Sequence, residues 1–391
     1  MDLRENQTKN KARKRFPEPV PVLVDKEQQG LYGAVENGFD LKGCGMARYT
    51  ITEIAKLCGT SPATVSRVLN NPDLVAKPLR DRIRRTMEEV GYKPNPFASR
   101  LSSKSRWGLA LFVFDILNPF FTLIVRKISH LAMEKRMSLT VCDTESNEEK
   151  ERIFLDYLLD NKIAGIIFGE GISMPTIERA LKATEIVLID RHCTEGLISE
   201  VSSDHYTGGC QATEYLLQLN HRNIAFIGGP DGWASTEERL RGYRDTLQRH
   251  NILFRPELVY PGDLRFESGI SALEYFLTLP EWPSAIFSAN DQMAFGVLSK
   301  ASSMNISIPR DISLIGFDDI PLYSPYTTKL TTVRQNIDEL CAQAFTIMMS
   351  KLNRGEEKGG HQRVVIPTRL TVGETCSKYS GARRTGAQES G

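Results

Sequence analysis

Apolar positions recur every three to four residues in three short stretches between Ile51 and Val90, and from Gly108 onward apolar runs alternate with amphipathic segments of helical length. In the first stretch, residues 52–58, Ile54, Ala55 and Cys58 share one helical face, and Gly59 breaks it. Ser61 is placed to cap a second helix, and Pro62 suits its first position, where a missing N–H costs nothing. Val65, Val68 and Leu69 form the stripe of that helix, which Asn70-Asn71-Pro72 ends, and Ala55 is small enough to let it cross the first helix closely. A third helix is expected from about Pro78, with Leu79, Ile83, Met87 and Val90 inward and Arg80, Arg82, Arg84 and Arg85 largely outward. A helix, a tight turn and a second helix with a polar outer face form a unit that enters a DNA major groove, although an ordinary three-helix packing unit shows the same periodicity.

Residues 108–114 are continuously apolar, as in a strand covered on both faces, and 119–135 has helical periodicity. Strands are predicted at 139–142, 165–168 and 186–189, with helices at 148–161 and 175–181 between them. A second set has strands at 224–227, 285–288 and 313–316, with helices near 209–219, 237–250, 268–277, 291–304 and 337–352. This alternation predicts parallel doubly wound sheets, whose ligands bind at the carboxyl ends of the strands. Taken in sequence order it gives two consecutive sheets, with a cleft between two lobes as the expected ligand site.

Charge separates the two parts. Residues 46–105 carry 11 Lys and Arg against 5 Asp and Glu, residues 1–45 carry 8 against 7, and the remainder 30 against 36. The formal net charge of +1 thus hides a basic head on an acidic body, and a basic head is what phosphate contacts require. The first 45 residues hold the basic cluster Lys9–Arg15, then Pro17, Pro19 and Pro21, and are expected to be disordered or to supply a DNA-contacting arm.

At 391 residues two or three domains are expected. A hydrophobic content of 41% and a charged content of 25% describe an ordinary soluble protein. No apolar run reaches the roughly 18–20 residues of a membrane span and the N-terminus lacks a signal-peptide core, so a cytoplasmic location without membrane contact is expected. Cysteines at 44, 58, 142, 193, 210, 341 and 376 form no C-x-x-C pair, which suits thiols better than disulfides or zinc. The histidines show no H-E-x-x-H spacing, and G-x-S-x-G and P-loop motifs are absent, so no enzyme activity, metal or cofactor is expected. Gly228-Gly-Pro-Asp-Gly232 follows a strand with Pro in its turn, which suits a loop lining the cleft.

Thr64-Val-Ser-Arg-Val-Leu-Asn70, Gly91-Tyr-Lys-Pro-Asn95 and Ala98-Ser-Arg-Leu101 resemble the head of the lactose-repressor/galactose-repressor family of bacterial transcription regulators. Asn118-Pro-Phe-Phe121, Asn290-Asp-Gln-Met-Ala294, Ile315-Gly-Phe-Asp-Asp319 and Leu330-Thr-Thr-Val333 extend the resemblance over roughly residues 48–376. It implies an all-α helix-turn-helix head followed by an α/β core of two doubly wound, periplasmic-binding-protein-like lobes. The lobes exchange strands, so the N-lobe takes about 106–204 and 334–366, and the C-lobe about 205–333 and 367–376. The expected division is an extension 1–47, a head 48–93, a hinge 94–105, the core 106–376 and a disordered tail 377–391. Met46 stands where heads of this family commonly begin, which makes it a second candidate start beside Met1.

The resemblance also assigns residues. DNA contacts are expected from Ser61, Pro62, Ala63, Thr64, Ser66, Arg67 and Asn70, of which Pro62, Ala63 and Arg67 occupy the base-reading positions. Pro62 and Ala63 offer apolar surface suited to a thymine methyl, whereas Arg67 can pair bidentately with guanine and should carry the polar discrimination. In the hinge the contacts fall on Asn95, Ala98, Arg100 and Leu101; the family folds this piece only on cognate DNA, and by position Leu101 is the leucine that kinks the minor groove. The usual Ala-Arg-x-Leu order appears here as Ala98-Ser99-Arg100-Leu101, with the arginine displaced by one.

Effector contacts fall by position on Phe120, Phe121, Asp190, Trp233, Ser235, Arg239, Leu264, Asn290 and Asp318. Several of these end predicted strands, and carboxylates and amides beside one Arg and three aromatics describe a site for a small polyhydroxylated or ring-shaped ligand. Asp190, Asp291 and Asp319 would serve as readily to cap helices or hold turns, and Phe120 and Phe121 to fill the core. The expected protein is a repressor whose affinity for a near-palindromic double-stranded operator is set by a carbohydrate-like effector. It acts as a homodimer, because one helix reads only a half-site, and the polar tail has no heptad repeat to build a larger assembly. Leu264 stands where relatives often carry an aromatic, with Trp233 on the opposite loop, so nucleobase or nucleoside effectors stay open, as does control by a phosphoprotein partner.

Overall fold

The computed structural model describes residues 49–70, 72–92, 107–191, 198–321, 328–353 and 360–381. The chain forms two compact units, residues 1–103 and 104–391. The extension 1–47, the hinge residues Asn95, Ala98, Arg100 and Leu101, and the tail beyond 381 lie outside the described residues.

In the first unit, helices α1 (Ile51–Leu57), α2 (Pro62–Asn70) and α3 (Lys77–Glu89) enclose a small core. Thr50 and Glu53 cap α1 reciprocally: the Glu53 amide donates to Thr50 Oγ1 at 3.3 Å and the Thr50 amide to Glu53 Oε2 at 2.6 Å. Gly59, at φ +57°, makes the turn, and Ser61 Oγ accepts the Thr64 amide at 3.2 Å to open α2. Ile54, Ala55, Cys58, Val65, Val68, Ile83 and Met87 are buried together, with Leu69, Leu79 and Val90 half-buried around them. Arg82, Arg84 and Arg85 are exposed, but Arg80 is turned inward and bonds the Pro72 carbonyl at 3.2 Å and Asp73 at 3.0 Å.

The second unit holds two six-stranded sheets. The first is built from β1 (Trp107–Val113), β2 (Leu139–Asp143), β3 (Ile163–Phe168), β4 (Glu185–Ile189) and β5 (Ser199–Ser203), with helices α4 (Pro119–Glu134), α5 (Glu148–Asp160) and α6 (Met174–Leu181). After α7 (His205–Gln218) the second follows: β6 (Ile224–Ile227), α8 (Ala234–Arg249), β7 (Val259–Tyr260), α9 (Phe266–Leu277), β8 (Ala285–Ser288), α10 (Asp291–Ser303), β9 (Ser313–Asp318) and β10 (Thr331–Arg334). Helix α11 (Ile337–Asn353) then returns to cover β3, β4 and β5, and β11 (Arg363–Ile366) joins the first sheet before β12 (Arg369–Thr371) joins the second. The orders are β11-β5-β4-β3-β1-β2 and β12-β10-β9-β8-β6-β7, all parallel except β12 on β10. The chain thus crosses between lobes three times, an exchange that sequence order alone does not give.

Helices α7 and α8 start earlier than expected, at His205 and Ala234. They cross almost backbone to backbone: a Cβ on Gly209 would strike the Arg239 carbonyl, and one on Gly242 the Tyr206 carbonyl. The tail was expected to be disordered from Ser377, yet the chain to Gly381 runs along the C-lobe. Ser377 donates to Ser313 Oγ at 3.1 Å, the Ser377 carbonyl accepts His221 Nε2 at 3.0 Å, and the Tyr379 amide donates to the Leu219 carbonyl at 2.8 Å. Small polar residues satisfied by buried backbone partners can be ordered without an apolar pattern. Cys58, Cys142, Cys210, Cys341 and Cys376 are free thiols, and no described helix is long and apolar enough to cross a membrane.

Ile83 sits fully buried where the three head helices meet. Ile83→Ala is expected to cost about 2–5 kcal/mol and to accelerate amide hydrogen exchange throughout the head. Unchanged exchange would contradict this packing.

Candidate functional site

Strand ends bring the chemistry together. Asp190 follows β4, Asn290 follows β8 and Asp318 closes β9, while Phe120 and Phe121 open α4 behind a cap in which Asn118 Oδ1 accepts the Phe120 amide at 3.0 Å. Trp233 caps α8, Ser235 and Arg239 lie on its first two turns, and Leu264 precedes α9. Ser235 was expected in a loop; with α8 beginning at Ala234 it is helical. All nine residues line one interlobe chamber, together with Phe114, Asn118 and Glu170.

Arg239 organises the chamber floor. Its guanidinium is 4% exposed, lies 3.8 Å from the Phe317 ring centre, donates from Nη1 to the Ala289 carbonyl and from Nε to His205 Nδ1 at 3.3 Å. Because Nδ1 accepts, His205 Nε2 carries the proton and donates to Asp190 Oδ1 at 2.9 Å. On the other side Arg239 Nη2 is 3.9 Å from Asp318 Oδ1, which also accepts Gln335 Nε2 at 2.7 Å. A chain of polar groups therefore runs from Asp190 of the N-lobe to Asp318 of the C-lobe.

Other contacts tie the lobes. Glu170, just after β3, accepts both the amide of Ser235, at 3.0 Å, and its hydroxyl. Trp233 meets Phe114 edge to face at 4.6 Å, and lies so close to Gly171 (φ +85°) that a Cβ there would be 2.6 Å from the indole. Arg265 Nε is 3.5 Å from Asp115 Oδ2. In this closed arrangement the chamber holds about 30 Å³, room for little more than one water. A neighbouring cavity of about 560 Å³ shares Phe114, Glu170 and Trp233 with it, a volume in the range of small-molecule sites.

Asp190 (φ +57°), Leu264 (φ +67°) and Asp318 (φ +118°) line the chamber with left-handed backbones, which cost about 1–3 kcal/mol each and cluster where a ligand is clamped. Burial pushes Glu170 up to about 7 against its two bonds from Ser235, and pushes Asp318 up to about 7 against Arg239 and Gln335. Burial acts on Asp190 the same way, but His205, Arg239 and the Ser203 amide outweigh it and hold the group below its ordinary value.

Asn290 and Asp291 are structural as well as polar. Asn290 caps α10 by accepting the Met293 amide at 3.0 Å and donates to the Leu264 carbonyl at 2.8 Å. Asp291 accepts Thr332 Oγ1 at 2.6 Å and the Ile320 amide at 2.9 Å, holding the turn after β9. Phe120 and Phe121 belong to the core and to the chamber wall at once. Sequence reasoning missed Glu170 and His205. Glu170 carried a usable signal, a charged residue at the end of an apolar strand, as Asp190 is.

On α2 the side chains of Pro62, Ala63 and Arg67 are exposed, Ser61 is held in its cap, and Thr64 and Ser66 are half-buried; Asn70 is the last residue of the helix.

Residues 50–95 match bacterial regulatory proteins of the lacI family, and residues 213–376 a periplasmic binding protein-like domain. The chain is 31% identical over 329 residues to the transcriptional repressor CytR of Escherichia coli (strain K12), covering 83% of this chain and 96% of that one. It is 32% identical over 333 residues to the transcriptional regulator DegA of Bacillus subtilis (strain 168), covering 84% and 98%. Among solved structures, the lac repressor dimer bound to operator and the anti-inducer ONPF matches with a TM-score of 0.73 at 25% identity, over 84% of this chain and 99% of that one. A complex of the transcriptional regulator CelR with cellobiose matches with a TM-score of 0.63 at 26% identity, over 84% and 100%. A helix-turn-helix head ahead of a periplasmic-binding-protein-like core defines a DNA-binding transcriptional regulator. The chain belongs to the lacI family of bacterial regulatory proteins.

An acid whose pKa is raised in the folded state contributes stability below its ordinary pKa and loses it as the pH climbs to the raised one. For Glu170 that window runs from 4.5 to about 7, and for Asp318 from 3.8 to about 7. Asp190 acts oppositely: its contribution is present above 3.8 and goes only as the pH falls through its lowered pKa. The unfolding midpoint of the core is therefore expected to drop between about pH 4 and about pH 7, and Glu170→Gln to remove part of that drop. Equal pH dependence in variant and parent would contradict the burial described.

Proposed function

We propose that this regulator is a repressor whose affinity for a near-palindromic operator is set by a small polyhydroxylated effector, of carbohydrate type, held in the interlobe chamber. The observation that carries this reading is convergence. Residues spread from Phe120 to Asp318 meet at the carboxyl ends of strands of two lobes, in a chain that also bears a lacI-type head. Aromatic walls beside carboxylates and amides suit a sugar, and the cellobiose complex of CelR supports the choice. The chamber carboxylates are engaged in hydrogen bonds that position them for binding rather than for proton transfer, so the protein acts in the cytoplasm as a switch and not as an enzyme.

Two copies read the two half-sites, in keeping with the lac repressor dimer on its operator. Arg67 supplies the polar base contact and Pro62 and Ala63 apolar ones, with Leu101 of the hinge wedging the minor groove. The effector shifts the population between lobe arrangements by its differential affinity for them, and the hinge orders or melts in response.

Arg67→Ala is expected to lose about 1–3 kcal/mol of specific binding, with random-sequence binding nearly unchanged, in fluorescence anisotropy titrations at fixed salt. Equal loss on both DNAs would remove Arg67 from base reading. Asn tolerates the left-handed backbone of Asp318, so Asp318→Asn is expected to keep operator binding while abolishing its response to a sugar that stabilises the parent in thermal-shift screening. A preserved response would take Asp318 out of the effector site.

A further inference from the structure

The walls of the cleft are acidic. Glu145, Glu148, Glu151, Glu170, Asp231 and Asp263 line the outer cavity, against Arg191 and Arg265 among the described residues. Both arginines are engaged: Arg265 lies against Asp115, and Arg191 donates to the Ile172 carbonyl. In the inner chamber the described cation is Arg239, which donates to Ala289 and His205, lies 3.9 Å from Asp318 and has its face covered by Phe317. A phosphate or carboxylate entering here would be desolvated opposite Glu170 and Asp190 without an uncommitted cation among the described residues to receive it. Anion sites are built the other way, with arginine forks or helix N-termini aimed at the ligand. At the start of α8, which borders both cavities, the first-turn amide of Ser235 already donates to Glu170.

We infer that the effector is uncharged or carries a cationic group, such as a free sugar, a nucleoside or an amino sugar, and that the cleft refuses phosphorylated sugars, sugar acids and nucleotides. This deepens the reading of the interlobe chamber as the effector site and rests on it. Glu170 is the residue that enforces the discrimination, because it stands at the junction of the two cavities and is 6% exposed.

The test is a thermal-shift and calorimetric panel of matched pairs on the full chain: ribose against ribose 5-phosphate, glucose against glucose 6-phosphate, glucosamine against gluconate, adenosine against AMP, and cellobiose alone. Every binder is expected among the uncharged or amino members, with its anionic counterpart at least roughly 100-fold weaker, as like-charge juxtaposition of several kcal/mol requires. Glu170→Gln is expected to narrow that ratio by about tenfold. An anionic member binding as tightly as its neutral counterpart overturns the inference and leaves the effector site standing; silence across the whole panel overturns both. A measurement without ligand reads the same field. With Trp107 and Trp282 replaced by Phe, Trp233 fluorescence should be quenched more by caesium than by iodide, and the reverse order would overturn the charge assignment alone.

Discussion

A guanidinium withdrawn from water is the constraint around which this core is arranged. Burying a charge costs several kcal/mol unless good geometry and hydrogen bonds return it, so Arg239 dictates what stands near it. The Ala289 carbonyl, the His205 ring, the Phe317 face and Asp318 all turn towards it. Through His205 the demand reaches Asp190 on the other lobe. Even the glycines of the α7–α8 crossing belong to this arrangement, since only a close backbone approach brings α8 and its arginine alongside His205.

Much of this was legible beforehand because it obeys local rules. Apolar runs marked the buried strands, 3.6-residue stripes marked the helices, and carboxylates after strands marked the cleft. What was not legible came from relations between distant segments. Strand β5, Ser-Glu-Val-Ser-Ser, reads as a loop, yet it is buried because it lies between β4 and β11, with Glu200 paired to Arg363 at 3.0 Å. The short strands β7, β10 and β12 were invisible for the same reason, as each is defined by its partner rather than its composition. His205 hid at the start of a helix expected to begin at Gly209.

The closed cleft sets a kinetic condition. With an inner chamber of about 30 Å³, a ring-sized ligand has no room while Glu170 holds Ser235 and Trp233 rests on Gly171. Opening precedes entry, so the observed association rate should level off with ligand concentration at the opening rate, well below the diffusional limit. The left-handed backbones at Asp190, Leu264 and Asp318 are then strain held in the closed form and available to be relieved or used by whatever occupies it.

The threefold crossing between lobes also bears on how the molecule is made. The first sheet starts with β1 but receives its sixth strand, β11, only at residues 363–366, after nearly all of the second sheet has been specified. A chain leaving the ribosome cannot complete the first sheet until five of the six strands of the second have been made, so β5 stays an open edge until β11 emerges, and the sheet beneath α11 stays uncovered until residues 337–353 do. Independent, sequential folding of the two lobes is thereby denied to this protein, and its nascent chain is exposed to mispairing from the synthesis of β5 until that of β11.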